Sequence, residues 1–236
     1  MTVSLSTLLH QAESEPIRIE RTLLKAQVVD LLRKSIIFGR IPPGTPLGER
    51  ELAATLKVSR VPIREALQEL EKEGLVVSTA SNRRCVIKLT ERDIRELYEV
   101  RLQLEMLAVE RAAHNTRPEH QAQLNAALET MEQAFRDHNP ETFPHADVEL
   151  HRAIWQQADN RHLQAMLNSM SGQLFMVVSR HSQLFAWAEV IDLHRDLISH
   201  INAGDAAAAS VSIAAHMQNS LERALRAFGN SLSGTA

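Results

Sequence analysis

The chain has 236 residues, 44% hydrophobic and 23% charged, a length that suits two domains of unequal size and a composition that excludes a disordered chain. No apolar run reaches the roughly 18 to 20 residues of a membrane span, no signal-peptide pattern opens the chain, and the lone Cys85 excludes an internal disulfide or Cys-based metal cluster; a cytoplasmic location is expected. The net charge of −3 conceals an asymmetry, because residues 1–90 carry 14 Lys+Arg against 10 Asp+Glu while residues 91–236 carry 12 against 19, which directs any nucleic-acid partner to the N-terminal end.

Residues 1–20 hold Pro16 and no sustained period, so they are expected to form a flexible arm, with Arg18 and the adjoining Arg21 as candidate phosphate contacts. Over 23–38 the apolar residues Leu24, Val28, Leu31, Leu32 and Ile36 recur at three- and four-residue steps, predicting an amphipathic helix that stops at the Gly39-to-Gly44 segment. A shorter helix fits 49–56, with Leu52, Ala53 and Leu56 on one face. Lys57 and Val58 make a tight turn to a third helix over 59–73. Ser59 suits its N-cap, Pro62 its first turn and Gly74 its left-handed end. The apolar runs 75–78 and 85–89 flank a polar stretch and read as a β-hairpin, with Cys85 a small strand residue. Three helices and a hairpin over 21–89 are the order of a winged helix-turn-helix.

From Thr90 onward the periodicity is helical only. Thr90 and Asp93 form a capping pair, and Leu97, Val100, Leu104, Leu107 and Ala108 make the stripe of a long helix ending near His114. Arg117-Pro118 starts the next helix, and later breaks fall near 139–140, 159–160, 182–185 and 204–205. The fold class expected is therefore mostly α: an N-terminal winged helix-turn-helix joined to an all-α antiparallel bundle of about six helices over 90–230.

A helix that enters the major groove needs polar side chains near its N-terminus, a basic rim and an apolar back. Ser59, Arg60 and Arg64 supply the first two, with Ile63, Ala66, Leu67 and Leu70 behind them. Arg60 and Arg64 are four residues apart on one face, where either suits a bidentate guanine contact or a phosphate clamp. Arg50 before them, and Arg83 and Arg84 at the wing tip, extend the positive surface. The segments 43–53, 58–67 and 70–76 resemble the signature of GntR-type winged-helix regulators. That resemblance implies operator contacts at Arg50, Ser59, Arg60 and Arg64, and a wing, here including Arg83, that reaches the minor groove. The wing departs from the family pattern, since Ala80-Ser-Asn82 has no glycine.

Ten of the eleven histidines lie beyond residue 113, which makes the C-terminal half the place to seek a site. Asp147 and His151 are four residues apart and share a helix face. His194 lies among Ile191, Leu197, Ile198 and Ile201, and His216 among Ile213, Met217 and Leu221. Histidines on such faces are costly to bury unless hydrogen-bonded or metallated. Segments 100–105, 147–154, 193–198 and 215–217, with Asn160, resemble the FCD ligand-binding domain of the FadR branch. In its metal-binding members an Asp and three His hold a divalent ion, which implies Asp147, His151, His194 and His216 here. This donor set suits Zn²⁺ first and Ni²⁺ second, rather than Mg²⁺ or Ca²⁺. A small carboxylic-acid effector would then bind the ion, with Arg101 as a second clamp.

His114, His120, His138, His162 and His181 read as surface or helix-end residues, His145 and His200 as candidates to stand behind the ligands. Trp155, Phe175, Met176 and Trp187 read as core rather than effector box. Two-fold operators favour a homodimer. Two competing functions are a metal sensor, in which the ion itself is the signal, and a hydrolytic metal centre, which lacks a base because Glu149 points to another face. Repression of operator DNA, with no enzyme activity, is the leading expectation.

Overall fold

The computed structural model describes residues 24–139, 142–179 and 187–233. The N-terminal arm with Arg18 and Arg21, Pro140, His181 and the break expected at 182–185 lie outside them. Two compact units are present: residues 24–89 with 171–179, and residues 90–170 with the described residues from Trp187 onward.

The first unit opens with α1 (Leu24–Ile37), which buries Val28, Val29, Leu32 and Ile36 at the expected period and ends where Gly39 takes the left-handed conformation. Next come α2 (Glu49–Leu56) and α3 (Arg60–Lys72). Between them Lys57, at φ 53° and ψ 40°, turns the chain, and Ser59 stands at the N-cap in an extended conformation, its hydroxyl accepting no capping hydrogen bond. Gly74 is left-handed beyond α3. Leu32, Leu52, Ile63, Leu67 and Leu70 are fully buried and bind the three helices together.

The hairpin strands are β1 (Val76–Ser78) and β2 (Arg84–Val86), antiparallel with Val77 opposite Cys85. They are shorter than the apolar runs suggested, because apolar character marks burial while the ladder ends where its backbone partners change. Leu47 donates to Arg84 O at 2.8 Å and Val86 to Thr45 O at 3.0 Å, so the segment before α2 lines the far side of β2. The wing closes through Asn82, whose φ of 56° supplies the left-handed turn that glycine would otherwise provide. Thr79 and Arg83 bracket that turn with a 2.8 Å backbone bond.

The second unit contains α4 (Glu91–His114), α5 (Pro118–Arg136), α6 (Thr142–Gln157), the part of α7 (Arg161–Ser179) up to residue 170, α8 (Trp187–Asn202) and α9 (Ala206–Ser233). Thr90 and Asp93 form the reciprocal capping box at the start of α4, Pro118 occupies the first turn of α5, and Asn160 Oδ1 accepts from His162 N and Leu163 N at the start of α7. Leu124, Met131, Leu150, Ile154, Trp155, Leu197, Ile201 and Ile213 form the core. Trp187 stacks on Phe143 at a centroid distance of 4.7 Å, and Met176 is buried; the side chain of Phe175 lies outside the described residues. The last turns of α7 group with the first unit rather than the bundle, a division that helical periodicity does not register.

Candidate DNA-reading face and metal centre

In the first unit, Arg50, Ser59, Arg60, Arg64 and Arg83 are all exposed. Arg50 begins α2, Ser59, Arg60 and Arg64 occupy the N-terminal half of α3, and Arg83 follows the wing turn. Arg84 behaves differently from its neighbour. Its guanidinium is only 22% exposed and sits between two carboxylates, with Nη1 at 3.2 Å from Glu49 Oε1 and Nε at 3.3 Å from Glu71 Oε2. Glu49 also meets Arg64 and Arg60, at 3.2 and 3.5 Å. Their hydrogen bonds, Arg64 first, lower the Glu49 pKa against the opposing effect of burial.

In the second unit, one turn of α6 presents Asp147 and His151, α8 presents His194 and α9 presents His216. One ligand atom from each lies within 4.8 Å of all the others. The three imidazoles are buried, while Asp147 keeps 16% of its side chain accessible. His151 Nε2 is 3.3 Å from His216 Nε2 and 3.4 Å from His194 Nε2, and His194 Nε2 is 3.2 Å from Asp147 Oδ1.

The donor set can be tested by tautomer. His194 Nδ1 lies 2.7 Å from the Val190 carbonyl, so Nδ1 carries the hydrogen and a neutral ring turns the Nε2 lone pair inward. His151 Nδ1 lies 3.4 Å from Glu105 Oε1, which favours the same tautomer. Two inward lone pairs at 3.4 Å repel unless a positive charge stands between them, either a proton shared with Asp147 or a metal ion. The residues therefore fit a divalent cation. Burial, with the positive charge of Arg101 nearby, drives the His216 pKa well below the usual imidazole range, which keeps that ring neutral, the form in which an imidazole can bind a metal. In the alternative arrangement, with a proton rather than a metal among the rings, burial raises the Asp147 carboxyl, but the hydrogen bond from a protonated His194 and the charges of His194, His151 and Arg101 outweigh that effect and hold the carboxyl at about 2.

Behind the cluster stands Glu105, fully buried on α4 and missed by sequence reasoning. Its Oε2 accepts from Trp155 Nε1 at 2.8 Å and its Oε1 from Arg101 Nε at 3.0 Å. Burial raises its pKa, yet the His151 and Arg101 charges and the bonds from His151 and Trp155 prevail and hold it at about 2. Arg101 is 6% exposed; only its Nε is bonded among the described residues. Tyr98, buried on the same helix, hydrogen-bonds Ser220 at 3.0 Å. His145 is exposed and His200 half-buried, and neither joins the cluster. The one signal for Glu105 was that it and Arg101, four residues apart, are the charged residues of the otherwise mostly apolar stretch 100–109 within α4.

A three-helix head whose third helix carries exposed arginines in its first turns, with a wing, followed by a helical bundle with a buried polar cluster, is the build of an effector-responsive transcription regulator. Residues 24–87 match the gntR family of bacterial regulatory proteins and residues 96–219 match the FCD domain. The chain belongs to the GntR family of bacterial transcription regulators, in its FCD-containing form. It is 32% identical over 184 residues to the gluconate operon transcriptional repressor of Bacillus licheniformis, spanning 77% of this chain and 74% of that one. It is 29% identical over 200 residues to the probable D-xylose utilization operon transcriptional repressor of Paenarthrobacter nicotinovorans, spanning 85% and 88%. The Escherichia coli McbR/YncC structure shares the fold, with a TM-score of 0.73 at 23% identity over 89% of this chain and 99% of that one. Such proteins are regulators rather than enzymes: the GntR domain binds DNA and the FCD domain takes a small-molecule effector. Among the described residues no helix is long and apolar enough to cross a membrane.

Proposed function

We propose that this protein is a repressor that reads operator DNA with Arg50, Ser59, Arg60, Arg64 and Arg83, holds a divalent ion on Asp147, His151, His194 and His216, and releases the operator when a small carboxylic acid binds beside that ion. Residues 21–89 form the DNA-binding domain and 90–230 the effector- and metal-binding domain. The observation that carries the reading is the convergence of three buried imidazoles and one carboxylate within 4.8 Å, since uncompensated inward lone pairs would be costly at this depth. The repressor names of the gluconate and D-xylose relatives support the sign of regulation.

Zinc suits the three imidazoles best and nickel next. A bound ion would supply a Lewis-acid attachment point for a carboxylate. Arg101, with terminal amino groups free of partners among the described residues, is placed to clamp the same anion. Effector binding then changes operator affinity only to the extent that the acid prefers one of the two states of the protein. A homodimer is part of this reading, because two-fold operators need two heads. Exposed Val100 and Leu107 on α4 and Val211 on α9 offer the apolar surface for it.

A second reading has one observation in its favour. Four protein ligands already complete a tetrahedral zinc shell, so an ion held by all four leaves no position for an acid, and the ion itself would be the signal. The two readings separate in a thermal-shift experiment on zinc- and nickel-loaded protein and on the chelated protein, each screened against small carboxylic acids. We expect melting to rise with acid concentration only when metal is present, and the rise to vanish in His194→Ala. Stabilisation by metal with no response to any acid would favour the metal sensor, and no response to either would reject the site.

A further inference from the structure

The DNA-reading face holds a group that a DNA-binding surface would not be expected to carry. Glu49, on the first turn of α2, places one carboxylate among three arginines: Arg60 and Arg64 of the recognition helix and Arg84 of the wing strand. Its engagement of Arg64 is the closest-knit. Arg64 Nε lies 3.2 Å from both Glu49 oxygens, and Nη2 lies 3.2 Å from Oε2. Arg60 and Arg64 remain 62% and 52% exposed, and exposed ion pairs contribute little to stability. The consequence of the arrangement therefore lies in what it does to the arginines.

A guanidinium offers five N–H donors along two usable edges. Glu49 takes the Nε/Nη2 edge of Arg64 and leaves the end-on edge, Nη1 with the outer hydrogen of Nη2, free for a bidentate contact to guanine O6 and N7. The carboxylate has a second effect through charge. A passing phosphate that competes for the Nε/Nη2 edge must break an existing pair and approach a negative group, whereas a base in register with the free edge does neither. Arg84 contributes to the same scaffold from below. It is fixed between Glu49 and Glu71, and Glu71 is itself bonded by Ser78 Oγ at 2.6 Å, so the carboxylate of Glu49 is tied to the sheet.

We infer that Glu49 is a positioning residue for DNA recognition: it holds Arg64 end-on for base contact, weakens non-specific phosphate binding, and thereby sets the ratio of specific to non-specific affinity. This inference rests on the DNA-reading role proposed for α3. Selection from a random duplex library with the wild-type full chain supplies the probe, and fluorescence anisotropy compares the selected duplex with a scrambled duplex of equal composition for wild type, Glu49→Gln, Arg64→Ala and the double variant.

Glu49→Gln keeps the side-chain shape and removes the charge. It is expected to tighten binding to the scrambled duplex, weaken binding to the selected one and lower their ratio roughly tenfold, about the worth of one bidentate base contact. In the Arg64→Ala background Glu49→Gln is expected to lower the ratio much less, because the main residue it acts through is gone while its pair with Arg60 remains. A ratio preserved in Glu49→Gln, or an equal fall with and without Arg64, overturns the inference. Melting curves separate a merely structural role, which would shift stability while leaving the ratio of the folded protein intact. Failure of the wild type to enrich any sequence would instead reject the DNA-reading role itself.

Discussion

Glu105 illustrates how a single buried carboxylate organises its surroundings. It receives Trp155 and Arg101 and faces Nδ1 of His151, so it favours the tautomer that aims Nε2 at the cluster. Removing its charge should leave His151 free to invert its tautomer. Outer groups of this kind typically set metal affinity by 10- to 100-fold, so Glu105→Gln should weaken zinc binding in a chelator-competition titration by roughly tenfold or more, with fold retained by circular dichroism. An unchanged zinc affinity would remove Glu105 from the site. The four residues that cluster here were named in the sequence only through the resemblance to the FCD domain; spacing alone put Asp147 and His151 on one face and left His194 and His216 as histidines in apolar stripes. Glu105 was not named, because an Arg and a Glu four apart on a helix normally form a solvated pair; only packing of α4 against Trp155 buries this one. For the same reason Arg84 read as a wing-tip cation, while the structure turns it inward to Glu49 and Glu71.

At the scale of elements, punctuation was more readable than length. The Thr90 capping box, Pro118, Gly74 and Gly204 mark their helix ends through local chemistry, and the structure places them accordingly. Strand extent depends instead on which backbone partner lies alongside, which no window of sequence contains. Asn82 shows that the missing wing glycine removes a residue type while a non-glycine residue adopts the positive φ. The α4 cap gives a prediction with a defined pH sense. Hydrogen bonds from the Thr90 hydroxyl and backbone lower the Asp93 pKa. A carboxylate lowered in the folded state stabilises it above the ordinary carboxylate range, and that contribution is lost as pH falls through the lowered folded value. Thr90→Ala should cost about 1 kcal/mol in denaturant unfolding at neutral pH, and the gap to wild type should narrow in acid, where Asp93 is protonated in both. A gap that persists through the acid range would show that the cap acts through the Asp93 N–H to Thr90 Oγ1 bond and owes nothing to the Asp93 charge.

Across the whole molecule, charge and histidine separate by position: the basic excess lies before residue 90 and nearly all imidazoles after 113, so the two activities occupy different units. The composition made this division of labour visible, though not the coupling between its parts, which depends on two states of the protein. Allosteric coupling of this kind is typically 5- to 150-fold in affinity. The most direct test is to titrate the selected operator duplex with zinc-loaded wild type and zinc-loaded His194→Ala, each with and without a carboxylic acid that raises the wild-type melting temperature. Coupling through the metal site requires the acid to weaken operator binding at least fivefold in wild type and to have no effect in His194→Ala. Equal weakening in both proteins, or none in either, would contradict it.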